Sequence, residues 1–219
     1  MVSVEWHAQL RRSPLSSWVI GLKDRLDYAR WRRANVAGST CPLQKRYALL
    51  GLLRTHKLGL AVETGTFLGD TATFLSGHGC DVITIELDPR LAALARLRFR
   101  GNRHVQLIEG DSGTRLPAVV AELKRPALFY LDAHYSGPGT GKGEIETPIS
   151  AEIDLVLQRA PAGSVVAIDD ARCFGTAPDY PPLDQFLRAL RMRGVNDARV
   201  ANDAIVFSVP GPTRITAAN

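Results

Sequence analysis

Gly59–Leu87 reads GLAVETGTFLGDTATFLSGHGCDVITIEL. Its first apolar run, "GLAVETG", is a short strand that stops at a glycine. "DTATFLSGHG" has helical spacing and is closed by glycine, and "DVITIEL" is a second strand. Strand, helix and strand in so little chain make a βαβ unit, whose two strands must run parallel.

Outward from that unit the alternation continues. "DPRLAALARLRFRG" is a helix with Asp88 as its cap and Pro89 in its first turn. "HVQLIEGD" is a third strand, and "SGTRLPAVVAELKR" is a helix interrupted early by Pro117. "PALFYLDAH" and "SVVAIDD" are strands on either side of the helix "TPISAEIDLVLQRAPAG", which Thr147 caps. "PPLDQFLRALRMRG" is a helix, and "ARVANDAIVFSVP" holds one or two closing strands. The fold class expected is α/β: a Rossmann-like, doubly wound, mostly parallel sheet of about seven strands. Before it, Leu15, Trp18, Val19, Leu22, Leu26 and Ala29 recur at three- and four-residue steps between basic residues. They mark an amphipathic arm over residues 1–45, with residues 46–219 forming the main domain. The arm suits packing on the body, a homodimer contact or a membrane-surface contact.

The chain has 219 residues and a net charge of +5. No apolar run approaches the ~20 residues of a membrane-spanning helix, and the start lacks the pattern of a signal peptide. The cytoplasm is therefore the expected compartment. Cys41, Cys80 and Cys173 show neither C-x-x-C spacing nor an even count, which disfavours a disulfide framework or structural zinc site. The basic balance permits a nucleic-acid partner, but an Arg-rich composition explains it better, and nucleic acid is disfavoured as a partner.

In parallel α/β sheets ligands gather outside the carboxyl ends of the strands. Here those ends read Glu63-Thr64-Gly65, Glu86, Gly110-Asp111, Asp132-Ala133-His134 and Asp169-Asp170. Gly65 and Gly69 allow a tight turn, but the turn is not G-x-G-x-x-G, and Glu63 inside it would oppose a pyrophosphate. Glu86, about twenty residues on, stands where an acid holds ribose hydroxyls. Asp111 is placed to accept from an adenine amino group. Together they point to an adenosine ligand that carries positive charge. S-adenosylmethionine fits better than NAD or ATP, and an NAD-linked oxidoreductase is disfavoured.

Taken in order, "VETGTFLGDTA", "VITIELDP", "HVQLIEGDSG", "LFYLDAHYSG" and "VVAIDDARCFG" resemble class I S-adenosylmethionine-dependent methyltransferases over residues 59–175. The nearer likeness is to the metal-dependent O-methyltransferases of catechol and macrocin type. The resemblance implies that Glu63, Gly65 and Thr71 contact the methionine part, Glu86 the ribose, and Asp111 with Ser112 the adenine. Thr66, Gly69 and Asp132 complete the expected donor-binding set. It also implies Mg²⁺ on Asp132, Asp169 and Asp170, and carboxylate oxygens are what a hard divalent ion prefers. The expected reaction is methyl transfer to a hydroxyl of a small molecule, a sugar or secondary metabolite. The lysine that serves catechol enzymes as base is replaced by Tyr135. His134, with an ordinary pKa of about 6.5, is expected as base beside the catalytic Asp132. "SGPGTGKGEIETP" (136–148) reads as a loop over the strand ends that could bring Lys142, Glu144 and Glu146 to substrate. Two other readings compete: an inactive module of the same fold that docks on a partner or membrane, and an RNA methyltransferase.

Overall fold

The computed structural model describes residues 14–34, 40–132, 149–177 and 180–211. Helices α1 (Pro14–Ala34) and α2 (Pro42–Thr55) precede the sheet. The alternation is then β1 (Leu60–Thr64), α3 (Asp70–Ser76), β2 (Asp81–Glu86), α4 (Pro89–Arg98), β3 (Val105–Glu109), α5 (Ser112–Glu122) and β4 (Leu128–Leu131). It continues with α6 (Ile149–Arg159), β5 (Val165–Ile168), α7 (Leu183–Met192), β6 (Arg199–Ala201) and β7 (Ala204–Ser208). The seven strands lie in the order β3-β2-β1-β4-β5-β7-β6. β1 to β5 are parallel, while β7 runs antiparallel to β5 and pairs with β6 in a hairpin. The two closing strands are thus separate, joined by Asn202 and Asp203, both at positive φ. That is the backbone a two-residue hairpin turn requires.

Alternation along each strand sorts the core onto two faces. Val62, Phe129, Leu131, Val166, Ile168 and Phe207 pack with side chains of α5, α6 and α7. Ala61, Leu128, Tyr130, Val165, Ala167 and Val206 face the other way, onto Leu49, Leu50 and Leu53 of α2 and residues of α3 and α4. Each large aliphatic side chain so buried contributes about 1.5–3 kcal/mol.

Local signals act as the sequence suggests at most element ends. Asp88 accepts from the amides of Arg90 and Leu91 at the start of α4, with Pro89 following. α2 begins at Pro42, because the Cys41 sulfur accepts from Gln44 N and proline is tolerated in a first turn. α5 runs through Pro117 at the loss of one backbone bond, held by the burial of Leu116, Val119 and Val120. The arm helix α1 meets α2 through the ion pair Asp24–Arg46 (2.9 Å) and the ring contact Tyr28–Tyr47 (6.2 Å). Leu22 and Leu26 stay 43% and 49% exposed, so its apolar stripe is not covered by the described chain. The side chains of Leu15, Trp18 and Val19 lie outside the described residues. Among the described residues no helix is long and apolar enough to cross a membrane.

Candidate functional site

The same alternation positions the acids. Glu63 shares a face with Ala61, Asp132 with Tyr130, and Asp169 with Ala167, so all three emerge on the face that α2 covers. There they border a cavity of about 770 Å³ together with Gly65, Phe67, Asp70, Thr71, Tyr130 and Lys45. Six carboxylates line it (Asp24, Glu63, Asp70, Asp132, Asp169, Asp203) against four basic side chains (Lys23, Lys45, Arg46, Arg172). The balance favours a cationic guest.

The turn after β1 is built for close approach. Gly65 and Gly69 both have positive φ, and a Cβ on Gly69 would stand 2.5 Å from the Phe99 ring. Arg98 secures the turn by donating to Leu68 O and to Asp70 Oδ1. Glu63 is buried, and Thr84 Oγ1 donates to its Oε2 at 2.6 Å, while the Thr66 hydroxyl lies 2.6 Å from that of Thr84. Burial, reinforced by the charges of Asp132, Glu86 and Asp70, pushes the Glu63 carboxyl up to about 8 despite the Thr84 bond. Glu86, also buried, accepts from Phe67 N (2.7 Å) and Asp88 N (2.9 Å). Burial raises its pKa, and those backbone amides oppose the rise. Phe67 borders the cavity, whereas Glu86 itself stands behind that residue.

Asp111 and Ser112 sit elsewhere. Asp111 is the N-cap of α5, accepting from Thr114 N at 3.1 Å. Ser112 is buried beside Glu152 of α6, which also accepts from Thr64 Oγ1 at 3.3 Å. Thr64 follows Val62 in the alternation, so this pair belongs to the opposite face of the sheet from Glu63. Burial pushes the Glu152 carboxyl up to about 7, and among the described residues its Oε1 has no hydrogen-bond partner.

At the ends of β4 and β5 the carboxylates crowd. Asp132, Asp169 and Asp170 each offer an oxygen, and the three oxygens lie within 4.8 Å of one another. Tyr130 OH donates to Asp169 Oδ2 at 2.8 Å and lies 3.2 Å from Asp132 Oδ2. A phenol has one proton, so it ties the two acids together while satisfying only one of them fully. Burial and the surrounding carboxylates raise the Tyr130 pKa well above its usual value. Asp170 has φ 54°, a left-handed backbone that aspartate tolerates better than most residues. Lys45, in the first turn of α2, sends Nζ to within 2.7 Å of Asp169 Oδ1, 2.7 Å of Asp170 Oδ1 and 3.7 Å of Asp203 Oδ2. Burial works to lower the Lys45 pKa, but the two adjacent carboxylates outweigh it and raise it overall. Arg172 pairs with Asp170 and Asp203.

The oxygens suit a divalent cation in kind and spacing. The Asp169 Oδ1 atom is buried, and among the described residues its recorded neighbour is the Lys45 ammonium at 2.7 Å. Carboxylate oxygens clustered in this way are the donors a hard cation takes. His134 and the loop carrying Lys142, Glu144 and Glu146 lie outside the described residues. The structure thus gathers Glu63, Gly65, Thr71, Asp132 and Asp169 around one cavity, sets Asp170 beside it, and leaves Glu86, Asp111 and Ser112 off its wall. Lys45, Tyr130, Glu152 and Asp203 were not read from the sequence. For Asp203, the "ND" turn between two strand-like runs was the available signal.

The chain matches no protein-family model and no curated protein. Its structure is similar to several solved ones. The Podospora anserina methyltransferase PaMTH1, bound to S-adenosylhomocysteine, aligns with a TM-score of 0.59 at 17% identity, over 85% of this chain and 87% of that one. The O-methyltransferase TomG of Streptomyces achromogenes, involved in tomaymycin synthesis and bound to S-adenosylmethionine, gives 0.55 at 19% identity over 84% and 87%. An O-methyltransferase from Bacillus cereus with S-adenosylhomocysteine gives 0.56 at 18% identity over 82% and 86%. The fold of this chain, with its strand order and its helices on both faces, is that of the class I S-adenosylmethionine-dependent methyltransferases.

Proposed function

We propose that this protein transfers a methyl group from S-adenosylmethionine to a hydroxyl of a small molecule, with a divalent ion, Mg²⁺ by choice of ligand, at Asp132, Asp169 and Asp170. One observation carries the reading: the cavity at the carboxyl ends of β1, β4 and β5 is walled by an excess of carboxylates, two of them buried. A buried acid costs free energy unless it is protonated or faces positive charge, and a sulfonium donor supplies that charge. The proteins of similar fold that hold S-adenosylmethionine or S-adenosylhomocysteine support the same reading.

Each chain residue has a task. Glu63 and Asp132 hold the cationic end of the donor, and the Gly65–Gly69 turn lets its backbone come close. Glu86, through the Phe67 amide, fixes the wall of that turn. Asp111 and Ser112 form the adenine end across the sheet edge. Tyr130 locks Asp132 and Asp169 in mutual orientation, so the two ends of the reaction are held in line. A bound divalent ion would lower the pKa of the acceptor hydroxyl. His134, two residues beyond Asp132, is the proposed proton acceptor. The acid-walled cavity opposes RNA phosphates, which disfavours an RNA substrate.

Calorimetric titration with S-adenosylmethionine and S-adenosylhomocysteine tests the donor half; failure of both to bind at millimolar concentration refutes it. Asp169→Asn tests the other half. It should keep donor binding and lose Mg²⁺-stimulated transfer to a panel of phenols and sugars, and full activity of this variant in chelator removes the metal role.

A further inference from the structure

Asp169 and Asp170 are adjacent, buried and on one side of the sheet edge, yet their two Oδ1 atoms face one ammonium. Lys45 reaches them from a different element. Its helix is fixed at the base by the Cys41 cap and tied to the arm by the Arg46–Asp24 pair. Arg172 serves Asp170 and Asp203, so among the described residues the cation recorded at Asp169 is Lys45. The lysine side chain is 19% exposed and borders two spaces at once. One is the 770 Å³ cavity; the other, of about 170 Å³, is lined by Ala48, Leu52, Ala167 and Val206. An alkyl stem can therefore swing away from the acids without leaving apolar surroundings.

We infer that Lys45 is the resident counter-cation of this acidic pair, and that a divalent ion reaches Asp169 and Asp170 by displacing its ammonium. The inference rests on the metal reading proposed above and adds a residue to it. Two cations cannot share the same pair of Oδ1 atoms, since at a few ångströms in a partly buried site their repulsion is severe. Lys45 thus keeps the rim assembled when no ion is bound, suppressing carboxylate repulsion, and sets how tightly the ion is held. It is a positioning residue for the rim, exchanged for the metal rather than added to it.

The test is Mn²⁺ binding to the full chain, followed by the electron paramagnetic resonance signal of the free ion, with no donor or acceptor present. Lys45→Met and Lys45→Gln should each bind Mn²⁺ about tenfold more tightly than the wild type, or better. Lys45→Arg, which keeps the cation, should bind as weakly as the wild type. Adding Asp169→Asn to Lys45→Met should abolish the gain. In chelator Lys45→Met should melt below the wild type and recover on addition of Mn²⁺. Equal Mn²⁺ affinity across the wild type and the neutral variants overturns the role of Lys45 while leaving the metal site standing. A gain that survives Asp169→Asn places the ion elsewhere and also overturns it. No Mn²⁺ binding by any form at millimolar concentration overturns the metal reading, and this inference with it.

Discussion

The acids at the end of β1 and those at the end of β5 are equally buried, yet they are kept from repelling by opposite means. Glu63 faces hydroxyls and other acids, and burial pushes its carboxyl up to about 8. Asp169 and Asp170 face Lys45 and Arg172 instead, as ion pairs. One half of the cavity holds its charge in reserve as a proton; the other holds it as a salt bridge. A guest that brings positive charge releases a proton at the first half and must compete with an ammonium at the second. The two halves should therefore answer differently to pH, to metal and to mutation.

Asp132 is the residue at which the halves meet, since it raises the Glu63 pKa and shares Tyr130 with Asp169. Asp132→Asn should consequently damage both. Transfer, measured as S-adenosylhomocysteine release, is expected to fall by about a thousandfold, and donor affinity should fall with it. If donor affinity is untouched, Asp132 belongs to the rim alone.

Glu63 gives the next largest effect. At pH 7 a carboxyl with a pKa of about 8 is mostly protonated. A sulfonium beside it favours the charged form, so binding S-adenosylmethionine at pH 7 should release about one proton, read from calorimetry in buffers of different ionisation enthalpy. Affinity should rise with pH towards 8 and then level. Glu63→Gln should weaken binding by roughly tenfold to a hundredfold and abolish both the proton release and the pH dependence. A pH-independent wild type would show that Glu63 is already ionised before the donor arrives.

The fold could be read from sequence because short apolar runs and glycine-closed helices are local signals, and β1, β4 and β5 are such runs, buried along their whole length. The strand-end acids were legible for the same reason: once the strands are placed, Glu63, Asp132 and Asp169 must leave the sheet at its carboxyl edge. Asp111 was legible only as a position. Its side chain caps α5, a role that "DSGT" also fits. Lys45 was invisible because its place depends on how α2 crosses the sheet, which no local pattern sets. Tyr130 read as one more apolar residue of "LFYL", and its hydroxyl matters only because β4 and β5 pair in the observed register. Glu152 carried no local signal in "TPISAEIDLVLQRAPAG", yet it is among the most buried side chains.

Glu152 yields the smallest effect of the three, and it isolates the proton-holding strategy from any ligand. Its ordinary pKa of 4.5 is pushed up to about 7, burial being the main cause and the bonds from Ser112 and Thr64 only partly opposing it. The native state therefore keeps a proton that the unfolded chain has already lost. Stability linked to this group is complete below pH 4.5 and is lost as pH rises through 7, because in that window the folded state binds more protons. The gap corresponds to at most ~3 kcal/mol. Glu152→Gln keeps the shape, cannot ionise, and offers the Thr64 hydroxyl the same acceptor. In urea denaturation it should exceed the wild type by about 1–3 kcal/mol at pH 8 and match it near pH 5. The wild-type slope should shrink without vanishing, since Glu63 titrates in the same direction. A variant weaker than the wild type at pH 8 would mean that the Glu152 carboxylate is charged and partnered there, so that the stored proton is confined to the Glu63 face of the sheet edge.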